Sequence, residues 1–145
     1  METTFDFVAI ELTQEVSSRL ESDRYGWLTT MAKSGQPVPR LLWFFFDGRE
    51  ITVYSMPNAA KVRHIKAHPR VSLSLDSDGN GRGTVVVGGE ARIDAVDADP
   101  IADEQYQAKY AEYAASMGMT KEFRAAFSTR LKISIEKVWT TPTEG

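Results

Sequence analysis

Two spacings divide this chain. Near its end Leu131, Ile133 and Ile135 alternate with Lys132 and Ser134. That period of two puts every second side chain on one face of a strand. Earlier, Tyr106, Tyr110, Tyr113 and Met117 recur at the three- and four-residue spacing of a single helical face. Strand patterns dominate. Residues 26–32, 37–46, 50–55, 71–76, 84–96 and 130–140 are rich in aromatic and β-branched side chains. Polar turns separate them: Lys33-Ser-Gly-Gln36, the hairpin dipeptide Asp47-Gly48, and the glycine-rich 77–83. Gly88-Gly89 predicts a bulge or close approach inside the fifth strand. Helices are expected from about Thr13 to Asp23, between Asn58 and His68, over 98–118, and after a Thr120 cap, the last carrying Phe123 and Phe127. Residues 1–12 read as a loosely held arm. Six strands linked mostly by hairpins, with helices to the side, predict an α+β fold built on an antiparallel barrel.

The run from Leu41 to Phe46 breaks the alternation. Six consecutive apolar residues predict a strand covered on both faces. One face can fill a barrel, and the other can meet a second subunit or a flat ligand. Trp27, Trp43 and Trp139 also fall in strands, where each can pack in a core or line a ring system.

The stretch Ser55-Met-Pro-Asn-Ala-Ala-Lys-Val-Arg-His-Ile-Lys-Ala-His-Pro-Arg70 lies between two such strands. Asn58 is its expected N-cap and Pro69 its stop, with Val62 and Ile65 on the buried side. Its first turn carries no acid; Lys61 stands there, at about the third helical position. A cation at that end opposes the helix dipole by roughly 0.3–1 kcal/mol. An anion beside it would remove the conflict, because free N–H groups and the positive helix end both attract one. Asn58 to Arg63 is therefore a candidate phosphate seat, against the plainer reading of Lys61 as a solvated surface residue. Lys61 and Arg63 share one anion only if the helix start is irregular.

Composition narrows the classes. At 145 residues the chain fits one domain, 1–145, and buries enough surface to need no staple. It has no cysteine, which excludes thiol chemistry and cysteine–zinc sites. A net charge of -3 argues against nucleic acid as partner. No basic leader or long apolar run appears, so the expected location is the cytoplasm and no membrane is involved. Asp76-Ser-Asp-Gly-Asn-Gly81 begins like a calcium loop, but Val87 stands where the bidentate Glu belongs, so a polar turn is expected. His64 and His68 are four apart, yet no third ligand is evident and no metal site is expected. No catalytic acid or base stands out.

In order, Trp27-Leu-Thr-Thr, Val38-Pro-Arg-Leu-Leu-Trp-Phe, Ile51-Thr-Val-Tyr-Ser and Lys61-Val-Arg-His-Ile-Lys-Ala-His-Pro-Arg-Val-Ser-Leu resemble the pyridoxamine 5′-phosphate oxidase-like split β-barrel family. The likeness spans about residues 13–140. It implies a homodimer with cofactor sites at the subunit interface, holding FMN or the deazaflavin coenzyme F420. Lys61 and Arg63 would hold the cofactor phosphate, beside Ser55, Met56 and Pro57. Arg40, Leu41, Leu42 and Trp43 would run along the ring, and Trp139 would approach from the partner subunit. The oxidases' arginine-bearing C-terminal segment is absent after Trp139, which argues against vitamin B6 oxidation. The short form looks more like the deazaflavin-dependent oxidoreductases of this family, acting on a small organic substrate. An FMN-dependent reductase or oxidase, and a non-enzymatic cofactor or haem carrier, are the alternatives.

Overall fold

The computed structural model describes residues 10–141. Its strands are β1 (Tyr25–Met31), β2 (Pro37–Trp43), β3 (Phe45–Phe46), β4 (Glu50–Ser55), β5 (Arg70–Leu75), β6 (Val85–Ala95) and β7 (Thr129–Thr140). They form one antiparallel sheet in the order β2-β1-β5-β6-β7-β4-β3. The sheet curls until β2 approaches β4, giving an open half-barrel. Helices α1 (Gln14–Ser22), α2 (Ala60–Ala67), α3 (Glu104–Ser116) and α4 (Lys121–Ala125) flank it. This is the expected split antiparallel barrel.

Alternation fills the barrel. Leu28, Leu73, Val87, Leu131 and Ile133 are each almost wholly buried in one cluster, with Val16 and Leu20 of α1 in the same cluster. Each such side chain contributes roughly 1.5–3 kcal/mol on burial. The predicted bulge is present, as a register shift between Gly88 and Gly89. A Cβ on Gly89 would lie 1.6 Å from the Ser134 carbonyl oxygen, so only glycine fits there.

Several expectations change. The predicted strand 37–46 is interrupted at Phe44, making seven strands rather than six. The Tyr110 hydroxyl accepts from Phe44 N at 3.0 Å and lies 2.7 Å from Phe44 O, serving the backbone groups that leave the ladder. Coverage of both faces holds for Phe44 to Phe46 but not for Leu41, which is 50% exposed. Helix 98–118 is a 3-10 turn, Pro100–Ala102, followed by α3, because the Asp103 carboxylate caps a new start. The predicted arm lies outside the described residues up to position 9, and Ile10 and Leu12 pack on the core. The 76–81 stretch is a polar turn: Asp78 Oδ1 accepts from Asn80 N at 2.8 Å, and Gly79 and Gly81 take positive φ.

Two tryptophans leave the core. Trp27 pairs with Leu41 and with Ser74, Ser74 pairs with Val86, and Val86 pairs with Trp139. Directly paired residues share a sheet face. Leu41, Trp27, Val86 and Trp139 therefore cross the outer surface in one row, with Trp27 42% and Trp139 52% exposed. Gly88 lets the indole of Trp139 lie flat, since a Cβ there would meet it at 3.0 Å. Among the described residues no helix is long and apolar enough to cross a membrane.

Candidate functional site

Asn58 does not cap α2. Ala59 N donates to Met56 O at 3.2 Å, closing a turn with Pro57 and Asn58 at its centre. Proline is favoured at the first central position of such a turn, so this dipeptide bends the chain instead of capping it. Ala59 becomes the N-cap and offers no side-chain bond, while the first turn holds no acid. Lys61 is thus the second helical residue. The helix start has backbone donors to offer and a cation beside them.

Lys61 is half-buried and lines a cleft of 270 Å³ with Leu41, Leu42 and Trp43 of β2 and Tyr54 of β4. Tyr106 of α3 also lines it, with Met119, Phe123, Arg124 and Phe127 in and around α4. Burial, then the nearby Arg40 charge, pushes the Lys61 ammonium below its ordinary pKa. Among the described residues no ion pair or hydrogen bond engages it. Trp43 is held rigidly: its ring stacks on Tyr110 with centroids 4.4 Å apart and planes 1° from parallel.

The structure gathers most of the expected residues. Leu41, Leu42, Trp43 and Lys61 line the cleft, and Arg40 is close enough for its charge to act on Lys61. Ser55 is buried at the end of β4, its hydroxyl donating to Met56 O at 2.9 Å, and Met56 and Pro57 lead into the turn before α2. Arg63 is exposed and folds back across that turn, its Nη1 donating to Asn58 O at 3.1 Å. It borders the helix start without lining the cleft. Trp139 does not line the cleft within one chain: it pairs with Val86 at the end of β7 remote from the β4 residue Tyr54, which pairs with Arg130.

Other residues were not anticipated. Tyr54 and Tyr106 are pushed up to about 12 chiefly by burial, and the Tyr54 hydroxyl donates to Asp103 Oδ2 at 2.5 Å. Both stay protonated near neutrality, so neither is a ready base. Tyr106 belongs to the helical tyrosine row, which the sequence reads chiefly as packing, with one tyrosine able to line a pocket. His64 faces elsewhere, with Nδ1 2.8 Å from the Thr30 hydroxyl oxygen. Among the described residues no three His, Cys, Asp or Glu side chains gather to hold a metal.

A half-barrel whose open edge carries an aromatic, cation-bearing cleft next to an uncapped helix defines a class of small split-barrel proteins. Within that class the chain belongs to the pyridoxamine 5′-phosphate oxidase family, whose model matches residues 12–142. No curated protein matches it significantly. Among solved structures, one named F420 reductase is 23% identical, covering 85% of this chain and 94% of its own, with a TM-score of 0.65. A conserved hypothetical protein from Mycobacterium tuberculosis is 22% identical, with 93% and 88% covered and a TM-score of 0.65. HutZ, named as the heme storage protein of Vibrio cholerae, is 14% identical, with 89% and 98% covered and a TM-score of 0.61. At these identities the likeness is one of fold.

Proposed function

We propose that this protein is an oxidoreductase that binds the deazaflavin coenzyme F420 in the β2–α2 cleft and passes hydride to a small organic substrate. The observation that carries the reading is Lys61: a half-buried cation at an uncapped helix start, with no ion pair among the described residues. The residues present fit such a group. Lys61 and the α2 backbone suit its phosphate, and Arg40 adds charge without supplying a competing anion. Trp43, fixed by its stack on Tyr110, and Leu41 and Leu42 give a flat, apolar bed for a ring. The coenzyme, when bound, supplies the hydride chemistry. The chain's own side chains position it, exclude water and leave tyrosine hydroxyls protonated around it.

The outer row supports a homodimer. A two-fold axis lying along the strands beside Ser74 would reverse the row and set Trp139 of one protomer over Leu41 of the partner subunit. Leu41 lines the cleft, so the second copy would close its mouth. This gives Trp139 a role that one chain alone does not.

FMN remains the second reading, favoured by the family match. Haem storage comes with the HutZ likeness, but neither His64 nor His68 lines the cleft. The test is titration of the apoprotein with F420 and with FMN, followed by fluorescence. Tighter binding of F420 supports the proposal, preference for FMN selects the alternative, and binding of neither removes the redox reading.

A further inference from the structure

Arg124 is the one charged side chain classed as buried among the described residues, at 8% exposed. It sits on α4 and lines the cleft. Its Nη2 donates to Gln107 Oε1 of α3, and its Nε has no hydrogen-bond partner. No carboxylate of the described chain forms an ion pair with it. Asp103, at the start of α3, is already engaged: one oxygen accepts from Gln105 N and Tyr106 N, the other from the Tyr54 hydroxyl. A guanidinium cannot shed its charge, and a buried cation without a counter-charge is costly unless something else provides one.

The walls around it describe the rest of the ligand. The Arg124 guanidinium lies 6.0 Å from the Tyr106 ring centroid, and Phe123 and Phe127 pack edge to face 5.3 Å apart beside it. Phe123 is 48% exposed, an open apolar wall rather than core. Lys61, the cleft's other lining cation, stands on α2 and is assigned to a cofactor phosphate by the function proposed above. Arg124, on a different element, is then left for a second oxyanion.

Resting on the reading of the cleft as a redox site, we propose that Arg124 determines substrate specificity, and that the substrate is a flat aromatic or fused-ring molecule bearing a carboxylate. The carboxylate would accept from the guanidinium fork while its ring lies among Tyr106, Phe123 and Phe127. The same chemistry could arrive on a carboxylate-bearing cofactor tail, so the test must separate the two.

The experiment is calorimetric titration of the full chain with 2-naphthoate and with its neutral isostere 2-naphthamide. The wild type should prefer the carboxylate by about tenfold or more, as a charge-assisted hydrogen bond implies. Arg124→Gln should bring the two ligands to near-equal affinity, with cofactor affinity unchanged. Arg124→Lys should keep part of the preference, and it serves if the Gln variant fails to fold by circular dichroism. Lys61→Ala should do the opposite, losing cofactor affinity and keeping the carboxylate preference. Equal affinity for naphthoate and naphthamide in the wild type, or no binding of either, overturns the inference. So does an Arg124→Gln protein that loses F420 affinity and keeps its naphthoate preference, since the guanidinium would then serve the cofactor. A wild type that prefers naphthoate but binds neither F420 nor FMN retains the carboxylate site while removing the redox reading.

Discussion

The hydroxyl of Tyr110 and the ammonium of Lys61 are both withdrawn from water, but only one of them has its partners. Tyr110 is fully buried, and its oxygen lies 3.0 Å from Phe44 N, 2.7 Å from Phe44 O and 2.6 Å from Arg24 O. Lys61 has no ion pair among the described residues, and the charge that acts on it is Arg40, of its own sign. Arg124 repeats the pattern with an unbonded Nε. At Tyr110 the chain satisfies the buried hydroxyl itself, although the buried Thr52 hydroxyl has no partner among the described residues. On the proposed reading, the partner missing at Lys61 and Arg124, where apolar rings line the space, is a ligand.

That contrast can be broken at four points. Gly89→Ala on the scaffold side forces a Cβ to 1.6 Å from Ser134 O, and it should cost on the order of 4 kcal/mol or prevent folding. A Tm within a degree or two of wild type would mean the bulge relaxes freely. Tyr110→Phe leaves the Phe44 backbone groups unpaired and should lower stability by about 2–3 kcal/mol in urea unfolding. Lys61→Ala should leave stability equal or slightly higher, because an opposed cation is removed, while weakening cofactor binding by roughly 1.5–3 kcal/mol. A fall in Tm with intact binding would reverse the assignment of that side.

The smallest effect concerns Lys109, whose Nζ donates to Phe44 O at 2.9 Å. Burial lowers its pKa from 10.5 to about 8. Between those values the folded chain holds fewer protons than the unfolded one, so stability should rise as pH climbs from about 8 towards 10.5. Lys109→Met should flatten that rise in Tm measured against pH. An unchanged slope would assign it to another group.

Local pattern made much of this legible. Alternation at Leu131, Ile133 and Ile135 placed β7, Thr13 and Thr120 announced their helices, and Gly88-Gly89 announced the bulge. Lys61 was legible because its charge opposes its own helix end. The interruption at Phe44 was not, since the hydroxyl that makes it tolerable comes from 66 residues away. Asn58 misled because the same Pro-Asn pair serves a turn as well as a cap. Arg124 carried no local sign, being one arginine in a five-residue helix that only tertiary packing buries. Trp139 was left between core and ring wall because a sequence does not say which sheet face lacks a cover.

Leu41 belongs to two surfaces at once, the wall of the cleft and the open row on the outer face. A molecule entering the one and a protein settling on the other dehydrate the same side chain. If the proposed homodimer forms on that row, occupancy and assembly are linked by mass action, each shifting the other by an equal factor. Affinities measured in dilute and concentrated solution should accordingly disagree, and the size of the disagreement reports the coupling.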